Sequence, residues 1–144
     1  MHTLSSLETP SSLPLTQTFD AFHLPSCLVG ALKNTGIHTP TPIQAGTISP
    51  AIQGQDVIAT AQTGTGKTLA YTLPVIMRLL NAPQDNALIL APTRELAAQV
   101  YRNIEQLLQA RSAFNIALLV RGESIGKQFA QLRRSPRIII ATRT

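Results

Sequence analysis

The sequence predicts an α/β domain in which helices cover a mostly parallel β-sheet. Three observations predict it. Apolar runs of strand length alternate with stretches whose apolar residues recur at helical spacing. One run, "NALILA" (86–91), is continuously apolar, the pattern of a parallel strand covered on both faces. A loop of glycines and threonines, "AQTGTGKT" (61–68), leads from a short apolar run into a helix. The 144 residues make one domain of ordinary size, and 44% hydrophobic content suffices for a core.

The elements follow in order. Residues 1–18, rich in Ser, Thr and Pro, read as a flexible tail. "FHLPSCLVGALKNTG" is a short helix with Leu24, Leu28, Ala31 and Leu32 on one face and Gly36 as its stop. In "TPIQAGTISPAIQGQ", Thr41 is the N-cap, Pro42 the first helical residue and Gly54 lies past the end. Ile43, Ile48 and Ile52 share a buried face there, and Pro50 bends the helix. "DVIAT" is a short buried strand, and residues 66–80 are a helix kinked at Pro74. After the strand in "NALILA", Thr93 caps a helix to Ala110, with Leu96, Val100, Ile104, Leu107 and Leu108 at helical spacing. "FNIALLV" is a strand, Ser124 to Leu132 a helix, and "RIIIAT" a further strand.

Several classes are excluded. No apolar run approaches a membrane span, and the start lacks the basic and apolar blocks of a secretion signal. Cys27 is the single cysteine and no Cys/His cluster offers a metal site, so a reducing, cytoplasmic setting is expected. From Arg111 onward, Arg111, Arg121, Lys127, Arg133, Arg134, Arg137 and Arg143 face one acid, Glu123. That imbalance fits either a polyanion partner or a solvated basic face.

The loop carries chemistry that a plain turn does not need. A strand-to-helix loop aims free backbone N–H groups at one point, where the helix dipole also favours an anion. Gly64 and Gly66 let the backbone wrap a phosphate closely. Lys67 adds a full charge for terminal phosphates, and the Thr68 hydroxyl suits magnesium held through a nucleotide. The spacing is Ala61-x-x-x-x-Gly66-Lys67-Thr68, with alanine where the strict pattern has glycine. Ala61, Gln62, Thr63, Gly64, Thr65, Gly66, Lys67 and Thr68 are the candidate nucleotide cradle.

With these residues in place, the chain resembles a DEAD-box RNA helicase of superfamily 2 over about residues 19–142. "GIHTPTPIQ" (36–44) resembles that family's adenine-recognition motif, with Phe19 seventeen residues before Gly36; "AQTGTGKT" resembles its phosphate loop, and "PTRELA" (92–97) a nucleic-acid-contacting segment. The resemblance implies a RecA-like P-loop NTPase domain of three layers, cut before the Walker B strand. It also implies ATP and Mg2+ as cofactors and RNA as partner.

On this resemblance Gln44 pairs bidentately with adenine, which discriminates bases by roughly 1–3 kcal/mol elsewhere. Phe19 stacks on the ring and Thr41 touches the site. Each has a plainer reading: Gln44 as an exposed first-turn residue, Phe19 as a core anchor, Thr41 as a cap. Pro92, Thr93 and Arg94 follow a strand at its carboxyl end, where open α/β sheets bind ligands, and would hold an RNA phosphate. Thr93 as a simple cap is compatible with that. Glu95 is structural, an acid in a helix's first turn. The family's Gly-Gly pair is here Arg121-Gly122, which trades close backbone approach for a charge. Its Thr-Pro-Gly-Arg begins at Thr142 but continues Arg143-Thr144. Arg121, Gly122 and Thr142 complete the candidate RNA set.

Hydrolysis needs a magnesium carboxylate at a strand end. Asp85, Glu95, Glu105 and Glu123 are the acids after the loop, and none directly follows an apolar strand. The resemblance implies a second helicase domain, which these residues do not contain, so they read as the N-terminal part of a longer protein. The whole is expected to be an ATP-dependent RNA helicase that unwinds or remodels short duplexes. The piece is expected to bind adenine nucleotide without turnover. A non-unwinding, nucleotide-dependent RNA clamp is the alternative, suggested by Arg121 and Arg143, and a small P-loop kinase is a third reading.

Overall fold

The computed structural model describes residues 5–6, 18–108 and 114–143. They belong to two compact units, Met1–Asn81 and Ala82–Thr144. Most of the expected tail, and the expected end of the Thr93 helix at 109–110, lie outside the described residues.

In the first unit a 3-10 turn, Phe19–Phe22, buries both phenylalanines, edge to face at 6.0 Å between centroids. Helix α1 (Ser26–Asn34) buries Leu28, Ala31 and Leu32, as the spacing predicts. It ends in a Schellman arrangement: Ile37 N–H donates to the Leu32 carbonyl at 2.9 Å and Gly36 N–H to that of Lys33 at 3.0 Å. Gly36 has φ 77°, the left-handed backbone that this ending requires. Helix α2 (Pro42–Ile52) starts at Pro42 behind Thr41 and keeps Pro50 near its end. Helix α3 (Lys67–Asn81) runs unbroken across Pro74 and packs along α2, burying Ala70, Leu73, Ile76, Met77 and Leu79.

Two expectations are corrected here. Ser5–Ser6, read as tail, forms a strand, β1, pairing in parallel with β2 (Val57–Ile58). Strand pairing uses backbone groups alone, so a Ser/Thr/Pro composition does not forbid it. β2 itself was expected to be buried, yet Ile58 is exposed, because in this two-stranded ladder one of its faces is uncovered.

The second unit is a three-stranded parallel sheet ordered β3 (Ala87–Ala91), β5 (Ile138–Thr142), β4 (Ile116–Leu119). Ala91 aligns with Thr142 and Leu119 with Ala141, so the three carboxyl ends lie at one edge. Helix α4 (Arg94–Leu108) covers the sheet with Ala97, Val100, Ile104 and Leu107, against Ile89, Ala117, Ile138 and Ile140. At the opposite edge, Arg137 donates to the Ala82 carbonyl at 2.7 Å and the Asp85 carbonyl at 3.0 Å, with its guanidinium 4.9 Å over the Phe114 ring. That is a cation–π contact joined to a turn clamp.

A third correction concerns β3. The continuous apolar run predicts cover on both faces, but Leu88 and Leu90 are 63% and 61% exposed. β3 is an edge strand of its sheet, and α4 buries only Ile89 and Ala91. Helix α5 (Ile125–Leu132), resting on β4, likewise buries no residue fully.

Ile140 lies fully buried at the centre of β5. Ile140→Ala is therefore expected to lower stability by about 2–5 kcal/mol, measured by urea unfolding.

Candidate functional site

The glycine loop between β2 and α3 is organised by one amide. Gln44, on the first turn of α2 and 2% exposed, accepts the Thr41 N–H on Oε1 at 2.9 Å. Its Nε2 donates to the Gly66 carbonyl at 3.0 Å. The first bond is half of a capping box; the second ties the start of α2 to the start of α3. Thr41 Oγ1 is buried and faces the Gln44 backbone N–H as the other half of that box. Gly66 also accepts the Ala70 N–H, at 3.3 Å, and so opens α3.

Glycine is required at this joint. Gly66 has φ 89°, and a Cβ there would overlap Gln44 Nε2 and lie 3.1 Å from Thr41 Oγ1. Gly64 has φ 84°, so the loop turns back at two left-handed points. Lys67 Nζ donates to the carbonyls of Ala61 and Gln62, the latter at 2.8 Å. Thr65 Oγ1 donates to the same Gln62 carbonyl at 2.7 Å. Gln62, Thr63 and Gly64 are exposed, and the α3 amides that follow them are first-turn donors with no intrahelical acceptor. The Thr68 carbonyl accepts Thr72 Oγ1 at 2.7 Å. Burial pushes the Tyr71 phenol up, and a side-chain hydrogen bond with Thr68 opposes that rise.

The structure thus gathers Thr41, Gln44 and Ala61 to Thr68. Phe19 is different: it is 3% exposed, its ring edge to face with Phe22. Gln44 is buried as well, contrary to an exposed first-turn residue, and both ends of its amide are engaged. The residues fit a nucleotide phosphate tail: first-turn amides, a glycine where a side chain would collide, and an ammonium held on loop carbonyls. For magnesium they offer the Thr68 hydroxyl only; among the described residues no group of three His, Cys, Asp or Glu could hold a metal.

In the second unit, the sheet register brings the other candidates together. Pro92, Thr93, Arg94, Arg121, Gly122 and Thr142 line one groove of about 400 Å³ at the carboxyl edge. Thr93 Oγ1 accepts the Leu96 N–H at 3.2 Å, so the cap reading holds for it. Gly122 has φ 88°, and a Cβ there would come 2.6 Å from Arg94 Nη1, so the guanidinium lies over that glycine. Glu95 is exposed in the first turn of α4. Two arginines, two threonine hydroxyls and a helix start on one groove are chemistry suited to an anion.

One residue went unread. Gln128 of α5 donates through Nε2 to the carbonyls of Val120 at 3.1 Å and Glu123 at 3.2 Å, clipping the turn that carries Arg121 and Gly122. A lone glutamine at mid-helix gives no sequence signal for this.

The model of the DEAD/DEAH box helicase family matches residues 41–144. The chain is 43% identical to the ATP-dependent RNA helicase DRS1 of Lodderomyces elongisporus, over 93% of this chain and 20% of that protein. It is 40% identical to the DEAD-box ATP-dependent RNA helicase CshA of Bacillus subtilis, over 89% of this chain and 26% of that protein. The crystal structure of a hypothetical ATP-dependent RNA helicase from Sulfolobus tokodaii superposes with a TM-score of 0.72 at 29% identity, covering 83% of this chain and 34% of that one. The α/β RecA-like fold with a parallel sheet is shared with that structure. The chain spans between a fifth and about a third of the length of these proteins.

Gln44→Ala removes both bonds and is expected to cost about 1–3 kcal/mol. Urea unfolding reads the loss, and amide exchange should quicken at Gly64–Thr68 ahead of the rest of α3.

Proposed function

Because the chain belongs to the DEAD/DEAH box helicase family, we propose that its first unit binds ATP with Mg2+ and its second unit binds RNA. On this reading both serve an ATP-dependent RNA helicase that unwinds or remodels duplexes. The observation that carries the proposal is the Gln44 bridge to Gly66, which holds a glycine-turned loop and Lys67 in one place.

ATP supplies, when bound, the phosphoanhydride whose cleavage drives the cycle. The chain's residues bind and orient. Lys67 would exchange the Ala61 and Gln62 carbonyls for phosphate oxygens, replacing a charge–dipole contact with one between two charged groups. The amides of Gly64 to Thr68 would hold the same phosphates, and the Thr68 hydroxyl would serve the magnesium. Gln44 retains one N–H and one acceptor lone pair beyond its two bonds, and these are its means of reading adenine.

In the second unit, the Thr93 and Arg94 start of α4, with Arg121 and Thr142, holds RNA phosphates, a sequence-independent contact. A cytoplasmic protein is the setting proposed. A strand-displacement assay on the intact protein separates a helicase from a non-unwinding clamp.

Lys67→Ala is expected to weaken Mg-ATP binding at least about tenfold, read by calorimetry, since it removes the cradle's one full charge. Gln44→Ala distinguishes the two roles of that residue: a loss of ATP over GTP preference indicates base reading, while equal weakening of both indicates only a brace. Residues 1–144 should show no RNA-stimulated turnover in a phosphate-release assay.

A further inference from the structure

Thr68 and Tyr71 are the second and fifth residues of α3, neighbours one turn apart on the helix surface. Their side chains share a hydrogen bond. Tyr71 is 38% exposed, so its phenol also meets solvent. Other threonines of this unit spend their hydroxyls on the carbonyl four residues back: Thr72 donates to Thr68 at 2.7 Å and Thr47 to Ile43 at 2.6 Å. Thr68 makes no such bond among the described residues, because the residue four before it, Gly64, lies outside the helix with φ 84°.

Two hydroxyls can share a hydrogen bond in either sense. A cation on Thr68 Oγ1 leaves only one. The metal takes a lone pair of that oxygen and makes its proton a stronger donor, so the proton needs an acceptor. Tyr71 Oη is such an acceptor, and the phenol's own proton turns to water. A phenylalanine ring would fill the same space and accept nothing.

We propose that Tyr71 is a positioning residue for magnesium: by accepting the Thr68 proton it aims the Thr68 lone pair at the ion beside the nucleotide phosphates. The inference rests on the glycine loop binding ATP with Mg2+. Tyr71 contacts neither ion nor nucleotide and acts through Thr68 alone.

The test is calorimetry of the intact protein with a non-hydrolysable ATP analogue, in saturating Mg2+ and in EDTA. The quantity read is the factor by which Mg2+ tightens binding. Tyr71→Phe is expected to lower that factor about three- to tenfold, the size of one hydrogen bond, and to leave affinity in EDTA unchanged. In Thr68→Ala, adding Tyr71→Phe should change nothing further, because the path is already cut. A full magnesium factor in Tyr71→Phe overturns the proposal. So does equal weakening with and without Mg2+, the mark of a packing role, or an effect that survives in Thr68→Ala. The underlying reading fails in a different way: the unsubstituted protein then binds the analogue no better with Mg2+ than without, or not at all. Either result removes the proposal too, whereas failure in Tyr71→Phe alone leaves the Mg-ATP site standing.

Discussion

The first unit depends on the Gln44 side chain. One carboxamide closes the N-terminus of α2 and holds the carbonyl from which α3 starts, so two helices begin from a single shared clasp. Because it is buried, an unpaired end would carry the full desolvation cost of an amide. The glycine conformation of the loop follows from it: the chain reaches Gly66 in a left-handed turn with no room for a side chain on the Gln44 side. Lys67 then falls at the first position of α3, within reach of the carbonyls of Ala61 and Gln62.

In the second unit the equivalent constraint is register. Parallel strands cannot avoid putting their carboxyl ends on one side, and here that rule converts three distant sequence segments into one surface. Pro92 to Arg94, Arg121-Gly122 and Thr142 meet because Ala91, Leu119 and the end of β5 are aligned by backbone pairing. Gln128 and the Gly122 backbone then set how the cationic side chains lie across that edge.

Much of this was legible in the sequence because it is local. Thr41-Pro42 announced the start of α2, Gly36 the end of α1, and the helical spacing of Val100, Ile104 and Leu107 the buried stripe of α4. The glycine loop stood out by its own chemistry, and the family resemblance named the six residues that the sheet register brings to one groove. What could not be read was pairing at a distance. β3 looks doubly covered from composition, but whether anything packs on its second face depends on the path of the chain around the sheet, which the run of apolar residues does not encode. Phe19 and Gln44 carry polar or aromatic faces that suit a ligand, yet their burial depends on Phe22 and on Gly66, a partner more than twenty residues away. Gln128 was invisible for a different reason: its partners Val120 and Glu123 are near in sequence, but they are backbone carbonyls, which no residue type announces.

The uncovered face of β3 has a bearing on how the protein behaves under stress. Ala87-Leu88-Ile89-Leu90-Ala91 contains no charge and no proline, and it carries two outward leucines along a sheet edge. Such a five-residue stretch is close to the minimum that can stack with copies of itself into a dry zipper. Asp85 before it and Pro92 and Arg94 after it act as gatekeepers, ending any growing ladder in a charge or a missing N–H. Heat or denaturant that loosens α4 from the sheet exposes Ile89 as well.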